Sequence, residues 1–342
     1  MRYKLLGRSG LRVSELCLGT MTFGDDWGWG ADRATSQQLF ERFAEAGGNF
    51  IDTANNYTNG ASETFVGEFI KAERDRFVVA TKYTLRLTTG NTRDANLGGN
   101  SRKSMHRSVE NSLRRLGTDY IDLLYLHMWD YMTPVEEVLR GADDLIRAGK
   151  VLYFAFSDTP AWVVSYAIAK AEDYGWSRPV AMQIPYSLRN RAVEREVLPM
   201  ARSHDLAILP WGLLEGGVLT GKYSQPSAEP RREASISDAE LAAGEAVVQL
   251  AQSLGRSPAQ VAINWVRQQP GVVIPILGCR TEAQLQDNLG CLEFRLSDEQ
   301  LTALSRIADF KPGFPNSFLH SNHVRNLIFG DTFAQIDNHR LP

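Results

Sequence analysis

The sequence predicts an α/β chain folded as a (β/α)8 TIM barrel, and three observations carry that expectation. Eight short apolar runs recur along the chain, most of them continuous rather than alternating, as expected of strands buried on both faces. Segments with helix-start signals separate the runs, so strand and helix alternate throughout. Three long polar segments follow strand ends, which gathers them on the C-terminal rim. A doubly wound open sheet usually has fewer strands, and no Gly-x-Gly-x-x-Gly turn follows the first run here.

Taken in order, Tyr3–Leu6 and Leu11–Val13 flank Gly7-Arg8-Ser9-Gly10, the pattern of a β-hairpin plugging the opposite end of the barrel. The eight runs are Val13–Thr20, Asn49–Ala54, Phe77–Lys82, Tyr120–His127, Val151–Asp158, Ala181–Ser187, Asp205–Gly212 and Val272–Gly278. Pro275 removes a ladder donor from the last, but the spacing requires an eighth strand there. Thr35 with Gln38 opens a helix that Gly47-Gly48 closes. Thr133-Pro134-Val135-Glu136 combines an N-cap, a proline at the first helical position and a capping-box acid, and that helix ends near Gly149. Ser257-Pro258-Ala259-Gln260 and Ser297-Asp298-Glu299-Gln300 repeat the signal. The long segments are Met21–Thr35, Tyr83–Asn100 and Gly212–Ser237, read as a binding pocket or lid. The tail after about Asp309 shows no periodicity, and extra helices are expected around the barrel. No linker composition divides residues 1–342, so one domain is expected.

Composition excludes several classes. Hydrophobic residues at 43% and charged residues at 23% are ordinary for a globular protein, and a net charge of −3 gives no field for nucleic acid. Cys17, Cys279 and Cys291 have no metal-site or disulfide spacing, which fits a reducing compartment. Met1-Arg2-Tyr3-Lys4 does not open a signal peptide, and no run reaches the ~18 apolar residues that cross a bilayer. A cytosolic protein with no metal and no membrane is expected; oligomeric state is not legible.

Four polar side chains stand at or just past strand ends: Asp52, Tyr57, Lys82 and His127. A phenol with an ordinary pKa near ~10 is a poor donor to a carbonyl, and burial raises it further. An ammonium about 4 Å away opposes this with roughly 4 kcal/mol at an effective dielectric of ~20, so the lysine is expected to win over desolvation. Lys82 then needs Asp52 as counter-ion, and His127 supplies a neutral donor to orient a carbonyl oxygen. No Gly-x-Ser-x-Gly elbow suggests a hydrolase, and no His-Glu-x-x-His suggests a metal. Trp27, Trp29, Met128 and Trp129 lie in loops on the same rim and suggest an aromatic-lined substrate pocket.

Over essentially its whole length the chain resembles the aldo-keto reductases. The resemblance rests on Leu18-Gly19-Thr20-Met21, Phe50-Ile51-Asp52-Thr53-Ala54 with Tyr57, Gly60-Ala61-Ser62-Glu63, Thr81-Lys82, Ser112-Leu113-Arg114-Arg115-Leu116 and Asp119–His127. It implies Tyr57 as general acid, Lys82 as its modulator, Asp52 as the partner of Lys82, His127 as the carbonyl-orienting group, and a small-molecule carbonyl as substrate. It also implies NADPH as cofactor, with Gly19, Thr20, Met21 and Asp52 near it. Ser157 and Gln183 would hydrogen-bond its carboxamide, with Tyr186 stacked on its ring and Asp158 beside the cofactor. Asp158 stands where the family commonly has Asn, and Asp accepts but cannot donate. Trp211, Gly212, Leu213, Leu214, Gly216, Leu219 and Lys222 would form a pyrophosphate loop, with Leu213 where proline is common. Tyr223, in place of Ser or Thr, opposes reading Gly216 to Lys222 as an NTPase P-loop. Arg280 would bind the adenosine 2′-phosphate, with Gln284 and Asn288 nearby and Gly278 also beside the cofactor. The alternative is a non-catalytic, NADPH-binding regulatory or channel-associated subunit on the same fold.

Overall fold

The computed structural model describes residues 1–87, 93–223, 236–308 and 310–337. Residues 88–92 and 224–235 of two expected long loops, and Asp309 at the expected start of the tail, lie outside the described residues. Strands β1 (Tyr3–Leu5) and β2 (Arg12–Ser14) form the antiparallel hairpin. The barrel strands are β3 (Cys17–Gly19), β4 (Phe50–Asp52), β5 (Val78–Tyr83), β6 (Ile121–Leu126), β7 (Val151–Ser157), β8 (Ala181–Pro185), β9 (Ala207–Trp211) and β10 (Ile276–Gly278), all parallel in the order β10-β3-β4-β5-β6-β7-β8-β9. The ring closes through a bridge between Ile208 and Val273. The helices are α1 (Arg33–Glu45), α2 (Ala61–Ile70), α3 (Arg102–Leu116), α4 (Val135–Arg147), α5 (Ala161–Tyr174), α6 (Val197–Ser203), α7 (Asp238–Ser253), α8 (Pro258–Arg267), α9 (Glu282–Leu289), α10 (Asp298–Ser305), α11 (Asn316–Leu319) and α12 (Asn322–Phe329).

Two apolar layers follow from the period-two alternation of the strands. One fills the barrel: Phe50, Val78, Ala80, Leu123, Tyr125, Ala181 and Leu209, with Leu6 and Val13 of the hairpin region below them. The other lies between strands and helices and takes the alternate residues, such as Ile51, Val79, Leu124 and Ile184. This parity positions the site. Inward positions continue upward from Phe50 to Asp52, from Val78 and Ala80 to Lys82, and from Leu123 and Tyr125 to His127.

Five expectations are corrected. The run Val13–Thr20 splits into β2 and β3. The Ser14 hydroxyl donates to Leu16 O (2.7 Å), and the Glu15 carboxylate accepts from Arg2 N (2.8 Å) and Arg267 (2.9 Å), so the chain turns between the strands. The eighth strand is only Ile276–Gly278; Pro275 interrupts the run, while its carbonyl accepts from Cys17 N. The cap of α1 is Asp32, accepting from Thr35 N, rather than Thr35, and the cap of α4 is Pro134. The Thr133 hydroxyl instead donates to Asp130 (2.8 Å). The tail expected to lack periodicity contains α11 and α12. Caps at Ser257 and Ser297 stand as expected, the latter with a full capping box, and Thr281 caps α9. Among the described residues no helix is long and apolar enough to cross a membrane.

Candidate active site

Asp52 ends β4, Lys82 lies near the end of β5, and His127 follows β6, so three adjacent strands deliver three groups to one opening. Tyr57 arrives on a short 3-10 turn after β4. That turn is strained at Thr58, whose φ of 44° a β-branched residue rarely adopts; Asn59 follows at 54°. Thr58 is held by donating to Phe23 O (2.6 Å) and accepting from Ser62 N (3.2 Å). Ser62 in turn bonds Thr20 and Thr53. The turn is fixed from two sides, which keeps the phenol in place.

The four groups come together. Lys82 Nζ is fully buried and donates to Asp52 Oδ2 (2.6 Å), Thr53 O (2.8 Å) and Tyr57 Oη (3.0 Å). Asp52 Oδ1 accepts from Gln183 Nε2 at 2.8 Å, so both carboxylate oxygens are satisfied. The His127 ring meets Tyr57 edge-on at 6.0 Å, and its Nδ1 is buried without a partner.

The electrostatics correct one expectation. Burial raises the Tyr57 pKa, and the opposing pull of Lys82 does not overcome it. The phenol is therefore firmly protonated. Desolvation works against the Lys82 ammonium, but Asp52 and Tyr57 together hold its pKa above the ordinary lysine value. Burial pushes the Asp52 carboxyl up against the pull of Lys82. Burial and the charge on Lys82 drive the His127 pKa well below its usual value, so the imidazole is neutral at neutral pH.

Of the residues expected around a cofactor, Ser157, Asp158 and Gln183 stand on the β7 and β8 side of the same opening. Asp158 has φ of 39° and one buried, unpartnered oxygen; burial raises its pKa to about 6 against the Trp211 hydrogen bond and Lys82. Trp211, at the inward-parity end of β9, is 41% exposed there. Tyr186 does not reach the opening. Its ring is buried on the outer face against Trp265 (5.4 Å), and its hydroxyl donates to Glu194 (2.7 Å). Gly19 and Thr20 are buried, with Thr20 Oγ1 donating to Asp52 O (2.9 Å), while Met21 is exposed. After β9, Gly212, Gly216 and Gly217 have φ of 73°, 61° and 99°, and Leu213 and Leu219 are buried anchors. Leu214 is half-buried, and Lys222 lies across Gly217, where an added Cβ would meet its side chain at 2.5 Å. Gly278 and Arg280 are exposed beside the start of α9. Gln284 accepts from Arg280 N (2.9 Å), and Asn288 is buried against Cys279 (3.2 Å).

Trp27 is brought to the site, edge-on to Tyr57 at 6.5 Å and against Trp29 at 5.7 Å. Met128 is exposed and Trp129 half-buried. Sequence reasoning missed Thr53, whose carbonyl is a third acceptor for Lys82, and the role of Gln183 in holding Asp52. Strand parity was the available signal for Gln183, since it lies two residues beyond the inward Ala181.

The Aldo/keto reductase family profile matches residues 15–309. The chain belongs to the aldo/keto reductase family. This aldo/keto reductase is 40% identical over 318 residues to norsolorinic acid reductase stcV of Emericella nidulans, covering 91% of this chain and 82% of the relative. It is 38% identical to putative aryl-alcohol dehydrogenase AAD14 of Saccharomyces cerevisiae, covering 93% and 89%. It is 39% identical to aryl-alcohol dehydrogenase [NADP(+)] of Phanerodontia chrysosporium, covering 94% and 87%. The protein is an oxidoreductase acting on carbonyl and alcohol groups.

Proposed function

We propose that this protein reduces aryl aldehydes or ketones to alcohols, reversibly, with NADPH as cofactor and Tyr57 as proton donor, in the cytosol. The observation that supports this most is the Lys82 ammonium held between Asp52 and the Tyr57 phenol at the barrel mouth, beside a neutral His127. The paired tryptophans beside Tyr57, and relatives named for aryl alcohols and norsolorinic acid, support an aromatic substrate.

The residues present fit a nicotinamide dinucleotide. The orphaned Asp158 oxygen suits a carboxamide N–H, and exposed Trp211 suits the face of a ring. The left-handed glycines after β9 with Lys222 suit a pyrophosphate, and Arg280 at the start of α9 suits a 2′-phosphate. Bound there, the cofactor supplies a hydride to the carbonyl carbon. Everything else falls to this chain. His127 stays neutral and offers an N–H to the carbonyl oxygen. Tyr57 stays protonated until that oxygen becomes an alkoxide, which is more basic than a buried phenolate. The proton then moves from Tyr57 Oη to the oxygen. Lys82, 3.0 Å away, stabilises the phenolate left behind, by about 5 kcal/mol at an effective dielectric of ~20. The lysine therefore acts on the product of proton transfer more than on the resting acid.

The test follows absorbance at 340 nm with NADPH and a panel of aromatic aldehydes and ketones. Loss of absorbance matched by alcohol formation is expected. A flat trace across the panel, with tight NADPH binding by fluorescence, would overturn the reading in favour of a cofactor-binding regulatory subunit.

A further inference from the structure

Eight of the nineteen exposed large hydrophobic residues fall between Phe314 and Ile336, among the described residues. Isolated exposed apolar residues need no explanation, but a concentration of this size does. The pattern on α12 is specific. Val324, Leu327 and Ile328 lie at i, i+3 and i+4, one stripe of the helix. Val324 is covered at 7% exposure, while Leu327 and Ile328 are 71% and 62% exposed. The stripe begins against its own chain and runs off it. Phe314, 83% exposed, lies before α11 with its ring against Phe318 at 6.3 Å.

We propose that this face, formed by α11, α12 and the turn after them, is the contact surface of a homodimer, with a second copy of this chain as its occupant. The exposed parts of the eight side chains amount to about 800 Å² of mostly apolar surface, taking a large aromatic or aliphatic residue as roughly 150–250 Å². A stable protein interface takes about 800 Å² from each partner, so the segment carries enough exposed apolar surface to supply much of one side. The charge pattern selects the occupant. From Phe310 to Asp337 the fixed charges are Lys311, Arg325, Asp331 and Asp337, two of each sign. A self-neutral surface does not repel its own copy across a two-fold axis. A helix that lies on a membrane carries basic residues along its polar face, and α12 has one arginine.

The test measures the mass of the full chain by sedimentation velocity from 0.1 to 50 µM (about the range that separates weak from stable dimers). Twice the 38.2 kDa of one chain is expected. The double substitution Leu327→Glu, Ile328→Glu is expected to weaken association about 100-fold or more, while Trp162→Glu, an exposed aromatic on α5 outside this segment, leaves it unchanged. Concentration-dependent amide exchange on the unsubstituted chain provides a second readout, with protection expected over residues 322–336. A wild-type monomer throughout the range, a dimer indifferent to the double substitution, protection located elsewhere, or a monomer that binds lipid vesicles would each overturn the proposal.

Discussion

Lys82 and Tyr57 meet at 3.0 Å at the end of the barrel, ammonium against phenol, with the lysine side chain wholly removed from water. Because burial keeps the phenol protonated, its proton is available at neutral pH. Tyr57→Phe removes that proton and little else, since the ring still packs against Trp27 and His127. NADPH affinity is expected to hold and kcat to fall by at least ~10². Stopped-flow and steady-state rates check this, and unchanged turnover would remove Tyr57 from the acid role.

The same lysine anchors the fold. Lys82→Met leaves the Asp52 carboxylate buried with Gln183 as its remaining side-chain partner. Breaking a buried pair from one side costs about 3–5 kcal/mol. Removing both charges, as in Lys82→Met with Asp52→Leu, is expected to restore much of that stability without restoring turnover. Urea unfolding measures both variants; a loss under about 1 kcal/mol for the single change would mean the pair adds little to the folded state.

How much of this was legible in the sequence depended on strand parity. Asp52, Lys82 and His127 were placed correctly because each caps an apolar run, and apolar runs announce strands. Tyr186 was misplaced because motif position ignores parity. It lies three residues past the inward Gln183, so its ring faces the helix layer, whereas Trp211 keeps the inward parity of Ala207 and Leu209. The first run read as one strand because Ser14 and Glu15 redirect the chain through long-range bonds to Asn49 and Arg267, which no local window contains. The balance between burial and charge at Tyr57 was also out of reach, since desolvation depends on everything packed around the ring.

Asp158 imposes a pH dependence on stability. Burial raises its folded-state pKa to about 6, above the ordinary 3.8. The folded state therefore binds the extra proton, so this group's stabilisation is complete below about 3.8 and is lost as pH rises through about 6. Asp158→Asn removes the penalty while keeping an acceptor for Trp211. The variant is expected to be about 1–3 kcal/mol more stable than the parent at pH 8, with the difference vanishing near pH 4. His127 is present in both proteins, so its own low-pH penalty cancels. Urea midpoints across pH 4–8 read the effect, and a constant difference would reject it.

The proposed choice of NADPH over NADH rests on Arg280. Its backbone N–H is taken by Gln284, which fixes the turn into α9, while its side chain is exposed and makes no ion pair among the described residues. The acid in the first turn of α9, Glu282, is occupied by Arg42 at 2.6 Å, so it does not compete for the guanidinium. A guanidinium left free beside a helix N-terminus favours a dianionic phosphate, and NADPH differs from NADH by that group alone. Arg280→Ala is expected to weaken NADPH by about 10-fold or more and NADH by less than about 3-fold. Fluorescence titration with both cofactors gives the ratio directly. Equal losses would mean that Arg280 contributes general charge rather than recognition of the 2′-phosphate, and cofactor choice would then rest elsewhere along the rim.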